Sequence, residues 1–469
     1  MKNYPLLLAL LISIPAYIVL SYFTLRTDIF SLLMCYLAPF AFFAIAYKCA
    51  NSDSDVKLAA CAGIFFRLLL LFSFPNLSDD IYRFYWDGLL CVNGIPPFQY
   101  LPSEFITGSM QSVNIPGINE KLFGLLNSPE YYTIYPPVCQ WIFAASAKIF
   151  PNSIEGATVF MKLILLLFEM GTIGILFAMS KLMGYTSKYV LLYALNPLVI
   201  VELIGNVHFE AAMIFFLLAG IYLLVVGRWT LSALSLALSI CSKLLPLMLL
   251  PFFIRRLGWR KSIPYFLILG IATVILFMPF LSVEIIGNFF ASVNLYFGKF
   301  EFNSSAYRLI YTAGAWFTGE ATYSLASKIG AISTFLFIIF MAWREPDLST
   351  DSLLRQLVGA MGVYFLFTST VHPWYLSTLV ALSAFSCFRF PILWSGLIIL
   401  TYCTYMQTPY QQVQWINGFE YIAVIAFLLI ENYQYLKSTA LKRLRRKHLE
   451  ASCGMNDLRV ESSDRPPCL

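Results

Sequence analysis

The chain has 469 residues, of which 59% are hydrophobic and 12% are charged. Soluble domains carry about 25% charged residues, so this chain has too few polar side chains to cover a surface in water. The composition excludes an ordinary cytosolic enzyme and an intrinsically disordered chain. The net charge of +6 is modest, and much of it lies in one C-terminal cluster, which argues against a nucleic-acid partner. A lipid bilayer is the solvent that fits this sequence.

Apolar runs of bilayer length recur along the whole chain, and no fixed-period repeat accompanies them. A spanning helix needs about 20 apolar residues, or about 17 at the short end. The pattern predicts an all-α polytopic membrane protein with about 12–14 transmembrane helices and both termini on the cytoplasmic side. The clear runs are 5–24, 29–49, 57–75, 158–180, 188–204, 209–227, 262–281, 321–343, 353–371, 391–407 and 418–436, with a shorter candidate at 374–388.

The stretch 229–254 fits either one long helix or two short ones broken near Lys243. Cytoplasmic loops are enriched in Lys and Arg, and basic residues follow this stretch directly at Arg255 and Arg256. An earlier basic residue, Arg228, precedes it. Both ends face the cytoplasm only if the stretch enters the membrane and returns, which favours a broken hairpin.

The spans divide the chain into a membrane domain, residues 1–436, and a basic cytoplasmic tail, residues 437–469. Residues 76–157 are predicted to form a large first extracytoplasmic loop, and residues 282–320 a second one. Within the first loop, the apolar stretch 135–150 is just short of spanning length, so we expect a helix on the membrane surface. The tail is densely basic up to Lys447 and should lie against anionic lipid, and residues 448–469 are predicted to be disordered.

Ten cysteines are scattered along the chain, and no pair has metal-ligand spacing. We expect most of them to be small buried apolar side chains. Cys91 and Cys139 lie in the same predicted external loop and could pair.

The acidic pair Asp79-Asp80 follows the third predicted span, at the external membrane face. The like charges of two adjacent carboxylates raise the pKa of one of them, and partial desolvation raises it further. Such a pair suits general-base chemistry, in which one carboxylate takes a proton from a hydroxyl and the other positions it or an ion. The alternative is a solvated helix cap in which Asp80 pairs with Arg83.

Charged side chains inside predicted spans are costly, so each needs a partner. Lys243 could bind a lipid-linked phosphate, or could extend its ammonium to the interface. Lys162 and Glu169 are seven residues apart on one face of a predicted helix. These two could line the interior of the bundle or pair with other helices.

Further polar side chains fall on the same predicted side as the two aspartates. His208 and His372 occupy short external turns, where a histidine acts either as a cap or as a catalyst. Arg308 lies between Tyr307 and Tyr311 and could hold a phosphate through two hydrogen bonds. Acid–base groups and cations at one membrane face suit a lipid substrate that is anchored by phosphate and presents its head group outside.

Several segments resemble bacterial GT-C glycosyltransferases of the mannosyltransferase type. The likeness extends over most of the chain as a layout, with many helices, a large first external loop and an acidic motif at its start. The acidic segment is the more specific one, and the others are weaker. The matching segments are SDDIYRFYWDG at 78–88, NGIPPF at 93–98, TIYPP at 133–137, Asn196-Pro197, GNVHFE at 205–210 and SKLLP at 242–246.

The resemblance implies a GT-C-like helical bundle and the transfer of a sugar, with mannose favoured, from a polyprenyl-phosphate carrier to a hydroxyl of a lipid or glycan. The reaction would take place at the outer face of the cytoplasmic membrane of a bacterium. Asp79 or Asp80 would be the base, and the resemblance does not choose between them. No cofactor is expected, although a divalent metal at the two aspartates stays open. The substrate-binding residues would be Tyr82, Arg83, Asp87, His208, Glu210, Lys243, Arg308, His372 and Tyr375.

Other functions fit parts of the pattern. A lipid or glycolipid transporter or flippase also has many helices and intramembrane charges, but it should show interrupted helices in matching positions of two halves. Only one broken segment is evident from the sequence. A polymerase or ligase of surface polysaccharide would use related chemistry. A non-catalytic assembly partner would tolerate the loss of both aspartates.

Overall fold

The computed structural model describes residues 3–281, 283–318, 323–407 and 409–452, and these residues fold almost entirely as helices. No strand occurs among them. A single parallel bridge joins Phe302 to Thr370. The prediction of an all-α protein is therefore confirmed.

Three helices open the chain, and each begins at a short polar side chain that accepts a backbone N–H of the first turn. Asn3, Asp28 and Ser52 provide these caps. Such caps satisfy N–H groups that have no partner inside the helix. The helices are α1 (Tyr4–Tyr22), α2 (Ile29–Cys49) and α3 (Asp53–Leu69).

The segment 76–157 contains four helices, α4 (Asp80–Val92), α5 (Glu104–Thr107), α6 (Glu120–Phe123) and α7 (Pro137–Ile149). Helix α7 occupies the apolar stretch for which a helix was predicted. Helix α7 packs so closely on α4 at Gly88 that a side chain there would not fit. A Cβ added at Gly88 would lie 2.4 Å from the carbonyl oxygen of Phe143. Cys91 and Cys139 are both free, so the disulfide considered from the sequence does not form.

The next part of the chain contains a break that the sequence analysis missed. Pro197 lacks a backbone N–H and disfavours a helical conformation at the residue before it, and the helical axis bends by 48° here. The elements are α8 (Ile154–Met183), a 3₁₀ turn (Ser187–Val190), α9 (Leu191–Ala194), α10 (Pro197–Val199), a π-helical turn (Ile200–Gly205) and α11 (Glu210–Val225).

The stretch 229–254 is broken where it was expected to be. Helix α12 (Trp229–Ser242) ends immediately before Lys243, whose backbone is extended. A 3₁₀ turn (Leu245–Leu249), α13 (Pro251–Leu257) and α14 (Trp259–Phe277) follow.

The last part of the chain contains α15 to α21, with one 3₁₀ turn between α14 and α15, one between α18 and α19, and one between α20 and α21. Helix α21 continues well beyond residue 436, so residues 437–452 of the predicted tail are helical, and the remainder of the tail lies outside the described residues. The elements are Met278–Phe280 (3₁₀), α15 (Val283–Lys299), α16 (Ala306–Thr318), α17 (Tyr323–Arg344), α18 (Thr350–Phe367), Pro373–Tyr375 (3₁₀), α19 (Leu376–Ser383), α20 (Phe390–Leu397), Ile398–Met406 (3₁₀) and α21 (Gln414–Ser452).

Six helices among the described residues are long and apolar enough to cross a membrane, and the bent pair Ser187–Gly205 brings the number to seven. The protein is therefore a multi-pass membrane protein. The predicted number of about 12–14 counts shorter elements as well and stays a prediction. The six helices are Tyr4–Tyr22, Ile29–Cys49, Ile154–Met183, Trp259–Phe280, Tyr323–Arg344 and Gln414–Lys437.

Contacts between distant residues define two ends of the helical bundle. At one end, Arg26 reaches Asp79, and Gln412 binds the carbonyl oxygen of Glu301. At the other end, Asn3 binds Asp55, and Lys188 binds the carbonyl oxygen of Lys48. We call the first the acidic end, because it carries the Asp79-Asp80 pair. We call the second the basic end, because Lys188 and Arg255 lie there.

The broken hairpin connects the two ends. Lys243 pairs with Glu210 at the acidic end. Arg255, only 12 positions later, donates to the carbonyl oxygens of Trp343 and Glu345 at the basic end. The stretch 229–257 therefore runs to the acidic end and back, as the distribution of basic residues predicted.

Two buried cations inside the bundle hold α3 and the segment after it. Arg67 donates to Glu169 at 2.9 Å and to the carbonyl oxygen of Ala194 at 2.6 Å. Lys162 donates to the carbonyl oxygens of Leu70 and Ser73 at the end of α3. Lys162 and Glu169 thus make separate contacts that position the chain leading to the acidic pair, which is the structural alternative considered from the sequence.

Candidate active site

The two adjacent aspartates begin helix α4 and have different surroundings. Asp79 accepts a hydrogen bond from Arg26 at 2.5 Å, which forms an ion pair between the α1–α2 loop and the start of α4. The backbone N–H of Asp80 donates to the Ser78 hydroxyl. The Arg26 guanidinium therefore already occupies one carboxylate oxygen of Asp79.

Asp80 has neutral hydrogen-bond donors around it instead of a cation. Asn127 donates to one carboxylate oxygen at 2.7 Å, and the Tyr135 hydroxyl donates to the other at 3.3 Å. The same oxygen, Oδ2, lies 4.0 Å from Nε2 of His208. Burial and the nearby Asp80 carboxylate raise the pKa of Tyr135 well above its ordinary value, so Tyr135 is a stable donor to Asp80.

The His208 imidazole is buried and held in one tautomer. Its Nδ1 lies 2.8 Å from the backbone carbonyl oxygen of Glu202, and a carbonyl oxygen only accepts, so Nδ1 carries the proton. Nε2 is then an acceptor, and it has no hydrogen-bond partner. The ring stacks on Trp374, with centroids 3.8 Å apart.

The backbone that carries His208 is irregular. A π-helical turn, Ile200–Gly205, precedes it. Val207 then adopts a positive φ of 59°, which is costly for a β-branched residue. Both features are common at functional sites, and together they direct the next side chain, His208, toward Asp80.

Lys243 lies in the break after α12, and its ammonium pairs with the buried Glu210 carboxylate. The ammonium also lies over the Tyr375 ring, 4.1 Å from its centroid. The Lys243 side chain is 30% exposed. A cation held in this way remains accessible to an anionic ligand.

His372 lies against the opposite face of Trp374, with centroids 4.4 Å apart, so the indole is held between two imidazoles. Burial lowers the pKa of His372 from 6.5 to about 3, and the positive charge of Lys243 adds to the effect. His372 is therefore neutral at physiological pH.

Three residues of the acidic motif stabilise the loop and do not face Asp80. Arg83 donates to Asp87 at 2.8 Å and to the carbonyl oxygen of Tyr131 at 2.8 Å. Both charged side chains are buried. The Tyr82 ring packs on Phe74. The alternative pairing of Arg83 with Asp80 is not present, because Arg83 is bonded to Asp87 and the loop carbonyls.

Arg308 makes its contacts with residues of its own segment and not with the two aspartates. It donates to Glu301 at 2.8 Å and lies over the ring of Tyr311. The nearby bridge between Phe302 and Thr370 attaches this segment to the turn that carries His372. Arg308 is 37% exposed and lies at the rim of the site.

Continuous contacts thus connect six of the predicted residues: Asp80, His208, His372, Tyr375, Lys243 and Glu210. They come from four separate segments of the chain. Sequence reasoning missed Arg26, Asn127, Tyr135, Glu202 and Trp374 as members of the site. A lone arginine between the first two spans was a possible signal for Arg26, and TIYPP contains Tyr135. Glu202 is a charged residue inside the predicted span 188–204, which was a signal as well.

Within the described ranges, no group of three or more His, Cys, Asp and Glu side chains is placed to hold a metal ion. Asp79 is bonded to Arg26, and Asp80 to amide and hydroxyl donors. The expectation of a metal-independent site stays a prediction.

Comparison with known proteins gives a family for the chain. Residues 21–257 match the family model of the alpha-(1->6)-mannopyranosyltransferase N-terminal domain. The chain is also 22% identical to alpha-(1->6)-mannopyranosyltransferase A of Mycobacterium tuberculosis over 360 residues. That alignment covers 71% of this chain and 66% of the relative's own length. The matched range contains Asp79, Asp80, His208 and Lys243.

Proposed function

We propose that this chain, which belongs to the alpha-(1->6)-mannopyranosyltransferase family, is a membrane glycosyltransferase that transfers mannose from a polyprenyl-phosphate carrier to a hydroxyl of a lipid or glycan acceptor. The observation that carries the proposal is the convergence of Asp80, His208 and Lys243 at one end of the bundle. A base for the acceptor hydroxyl and an accessible cation for the departing phosphate suit transfer from a phosphate-linked sugar.

Asp80 is the general base in this proposal. Its carboxylate accepts hydrogen bonds from two neutral donors, Asn127 and Tyr135, and no cation forms an ion pair with it among the described residues in the way that Arg26 does with Asp79. Asp79 pairs with Arg26 and fixes the start of α4. Asp80 would remove the proton from the acceptor hydroxyl as the hydroxyl oxygen attacks the anomeric carbon.

Lys243 is the phosphate contact in this proposal. Departure of the phosphate builds negative charge on its oxygens, and a preorganised cation stabilises that charge most in the transition state. The ammonium is held in place by its ion pair with the buried Glu210 carboxylate and by its contact with the Tyr375 ring. Arg308, at the rim, would contact the outer part of the substrate.

The basic residues support an orientation with the acidic end outside. Four basic residues lie at the basic end, in α13 and at the start of α14: Arg255, Arg256, Arg260 and Lys261. Cytoplasmic loops are enriched in Lys and Arg. The aspartates would then face the exterior of a bacterial cytoplasmic membrane, and a lipid carrier would enter sideways between helices.

The test is a transfer assay with the purified chain in nanodiscs. It uses radiolabelled polyprenyl-phosphate mannose, with GDP-mannose in parallel, and membrane lipid extracts as acceptors. We expect transfer from the lipid donor, none from the nucleotide donor, and loss of transfer in Asp80→Asn. Transfer from GDP-mannose would refute this function, whereas full activity of the variant would remove Asp80 as the base.

A transporter of glycolipid is the second candidate, and one observation favours it. The structure has two interrupted segments, at Asn196-Pro197 and at Lys243, and discontinuous helices are common at transporter sites. The same protein in liposomes should therefore be tested for movement of labelled glycolipid between leaflets. Movement without any sugar transfer would favour this candidate.

A further inference from the structure

We propose that His208 receives the proton that Asp80 removes from the acceptor hydroxyl, and that Glu202 stabilises the resulting imidazolium. The inference rests on the proposed function and adds a second proton acceptor to the site. Asp80, His208 and Glu202 then form a carboxylate–imidazole–carboxylate relay that runs from the surface of the site into the bundle.

The first argument is the unused acceptor on His208. Nδ1 donates to the Glu202 carbonyl oxygen at 2.8 Å, so Nε2 carries a lone pair. Nε2 is buried and without a partner. Buried polar atoms without a partner are rare, and each needs an explanation. The group that Nε2 approaches is Asp80 Oδ2, at 4.0 Å.

Two acceptors cannot bond each other without a proton between them, and this explains the separation. The distance between Asp80 Oδ2 and His208 Nε2 is about 1 Å longer than a hydrogen bond of about 3 Å. Catalytic hydrogen bonds are often long in a free enzyme and shorten in its complex. Protonation of Asp80 by the substrate turns its Oδ2 into a donor, so the Oδ2–Nε2 pair becomes attractive only after the chemical step has begun.

The second argument is the counter-charge behind the imidazole. One carboxylate oxygen of Glu202 lies 3.4 Å from Nδ1 of His208. Glu202 is fully buried and accepts from the Tyr402 hydroxyl at 2.9 Å and from Asn206 at 3.2 Å. A carboxylate held in this way orients a histidine and stabilises its protonated form, as in a catalytic triad.

The other groups around His208 are not placed to exchange a proton with its ring. Trp374 covers one face of the ring, and an indole N–H only donates. His372 lies beyond Trp374, and Lys243 is bound to Glu210. The two carboxylates are therefore the groups on either side of the ring that carry negative charge, Asp80 at Nε2 and Glu202 at Nδ1.

The third argument is the backbone. The π-helical turn and the positive φ of Val207 form a costly conformation immediately before His208. Strained residues persist where the surrounding structure holds them, and they are concentrated at active sites. Here the strain places the carbonyl oxygen and the carboxylate of Glu202 on the same nitrogen of His208.

The proton and the electrons balance as follows. The acceptor oxygen forms its bond to the anomeric carbon, while the bond between that carbon and the phosphate oxygen breaks and leaves its electron pair on the phosphate. The hydroxyl proton moves to Asp80 Oδ2 and then to His208 Nε2. Asp80 returns to the anion, and the imidazolium loses its proton to solvent or to the departing phosphate before the next turnover.

The first test is His208→Asn in the nanodisc transfer assay. The Asn side-chain amide reproduces the position of Nδ1 and can still donate to the Glu202 carbonyl oxygen, but it has no atom at Nε2. We expect turnover to fall about 100-fold, as for loss of a proton acceptor, with an unchanged KM for the lipid donor. His448→Asn, the same change near the end of α21, is the control and should keep wild-type turnover.

The second test separates proton transfer from packing. In His208→Gly, added imidazole can occupy the vacated space beside Trp374, and 1,2,4-triazole has the same shape but is a much weaker base. We expect imidazole to restore at least tenfold more turnover than triazole. Equal rescue by both compounds, or turnover of His208→Asn within threefold of wild type, would overturn the relay.

The outcomes also separate the relay from the proposed function. Wild-type chain that transfers no mannose from the lipid donor refutes the function itself. Wild-type chain that transfers mannose, with inactive Asp80→Asn and active His208→Asn, keeps the function and removes the relay. If His208→Asn does not fold, the comparison of imidazole with triazole in His208→Gly decides the relay by itself.

Discussion

Arg26 and Asp79 are 53 positions apart in sequence, and their side chains are 2.5 Å apart. This ion pair distinguishes two aspartates that the sequence leaves equivalent. Asp79 has a cation as its partner, whereas its neighbour Asp80 faces Asn127, Tyr135 and His208.

The first prediction follows from that difference. Asp80→Asn should lower turnover at least 100-fold, because loss of a general base has effects of this order. Asp79→Asn should lower it less than tenfold, since Arg26 still has an amide oxygen to bind. Turnover of both variants is measured in nanodiscs, with the thermal unfolding midpoint as the check on folding. The reverse order of the two effects would assign the base to Asp79.

The second prediction concerns the cation in the break after α12. Lys243→Met should raise the KM for the polyprenyl-phosphate donor about tenfold or more, because an ionised contact to phosphate contributes about 1.5–3 kcal/mol. Lys57→Met changes an exposed lysine of α3 and is the matched control. A donor KM equal to that of wild type at normal expression would remove the phosphate-binding role.

The third prediction concerns the buried pair Arg67 and Glu169, whose side chains are both fully buried. Arg67→Met leaves an uncompensated buried carboxylate and should cost about 3–5 kcal/mol of stability. The double variant Arg67→Met/Glu169→Leu should recover much of that loss. Thermal unfolding in detergent measures both, and a double variant no more stable than the single one would show that the charge is not the cause.

The fourth prediction concerns pH. The pKa of His372 falls from 6.5 to about 3 in the folded chain because of burial and the nearby positive charge of Lys243. Below pH 6.5 the unfolded chain binds a proton there that the folded chain does not, so stability falls from pH 6.5 toward pH 3. His372→Asn should lose less stability over this range. Identical pH dependence in the two proteins would contradict the shift.

The fifth prediction concerns orientation. Ser109 lies at the acidic end and Lys261 at the basic end, and both are exposed. In intact cells a membrane-impermeant thiol reagent should label Ser109→Cys above the background of the wild-type chain. It should label Lys261→Cys only after the membrane is opened. Labelling of Lys261→Cys in intact cells would reverse the proposed orientation.

Patterns that are local in sequence predicted much of the fold. Bilayer-length apolar runs predicted helices because a backbone in lipid must satisfy its own hydrogen bonds. The basic residues around 229–254 predicted the return of the chain at Lys243, since positive charge avoids translocation. The second break was missed, because a single Pro197 within an apolar run does not say how far the axis will bend.

The residues of the candidate site were predicted only in part from the sequence, for a physical reason. Asp79, Asp80, His208 and Lys243 stand out because charged and titratable side chains are rare in so apolar a chain. Which of them act together depends on contacts between segments far apart in sequence, such as Arg26 with Asp79 and Tyr402 with Glu202. Composition indicates that the chain lies in a membrane, and the apolar runs indicate which residues form helices. Only the packing of the helices decides which polar groups share a site, and so which aspartate is left free to take a proton.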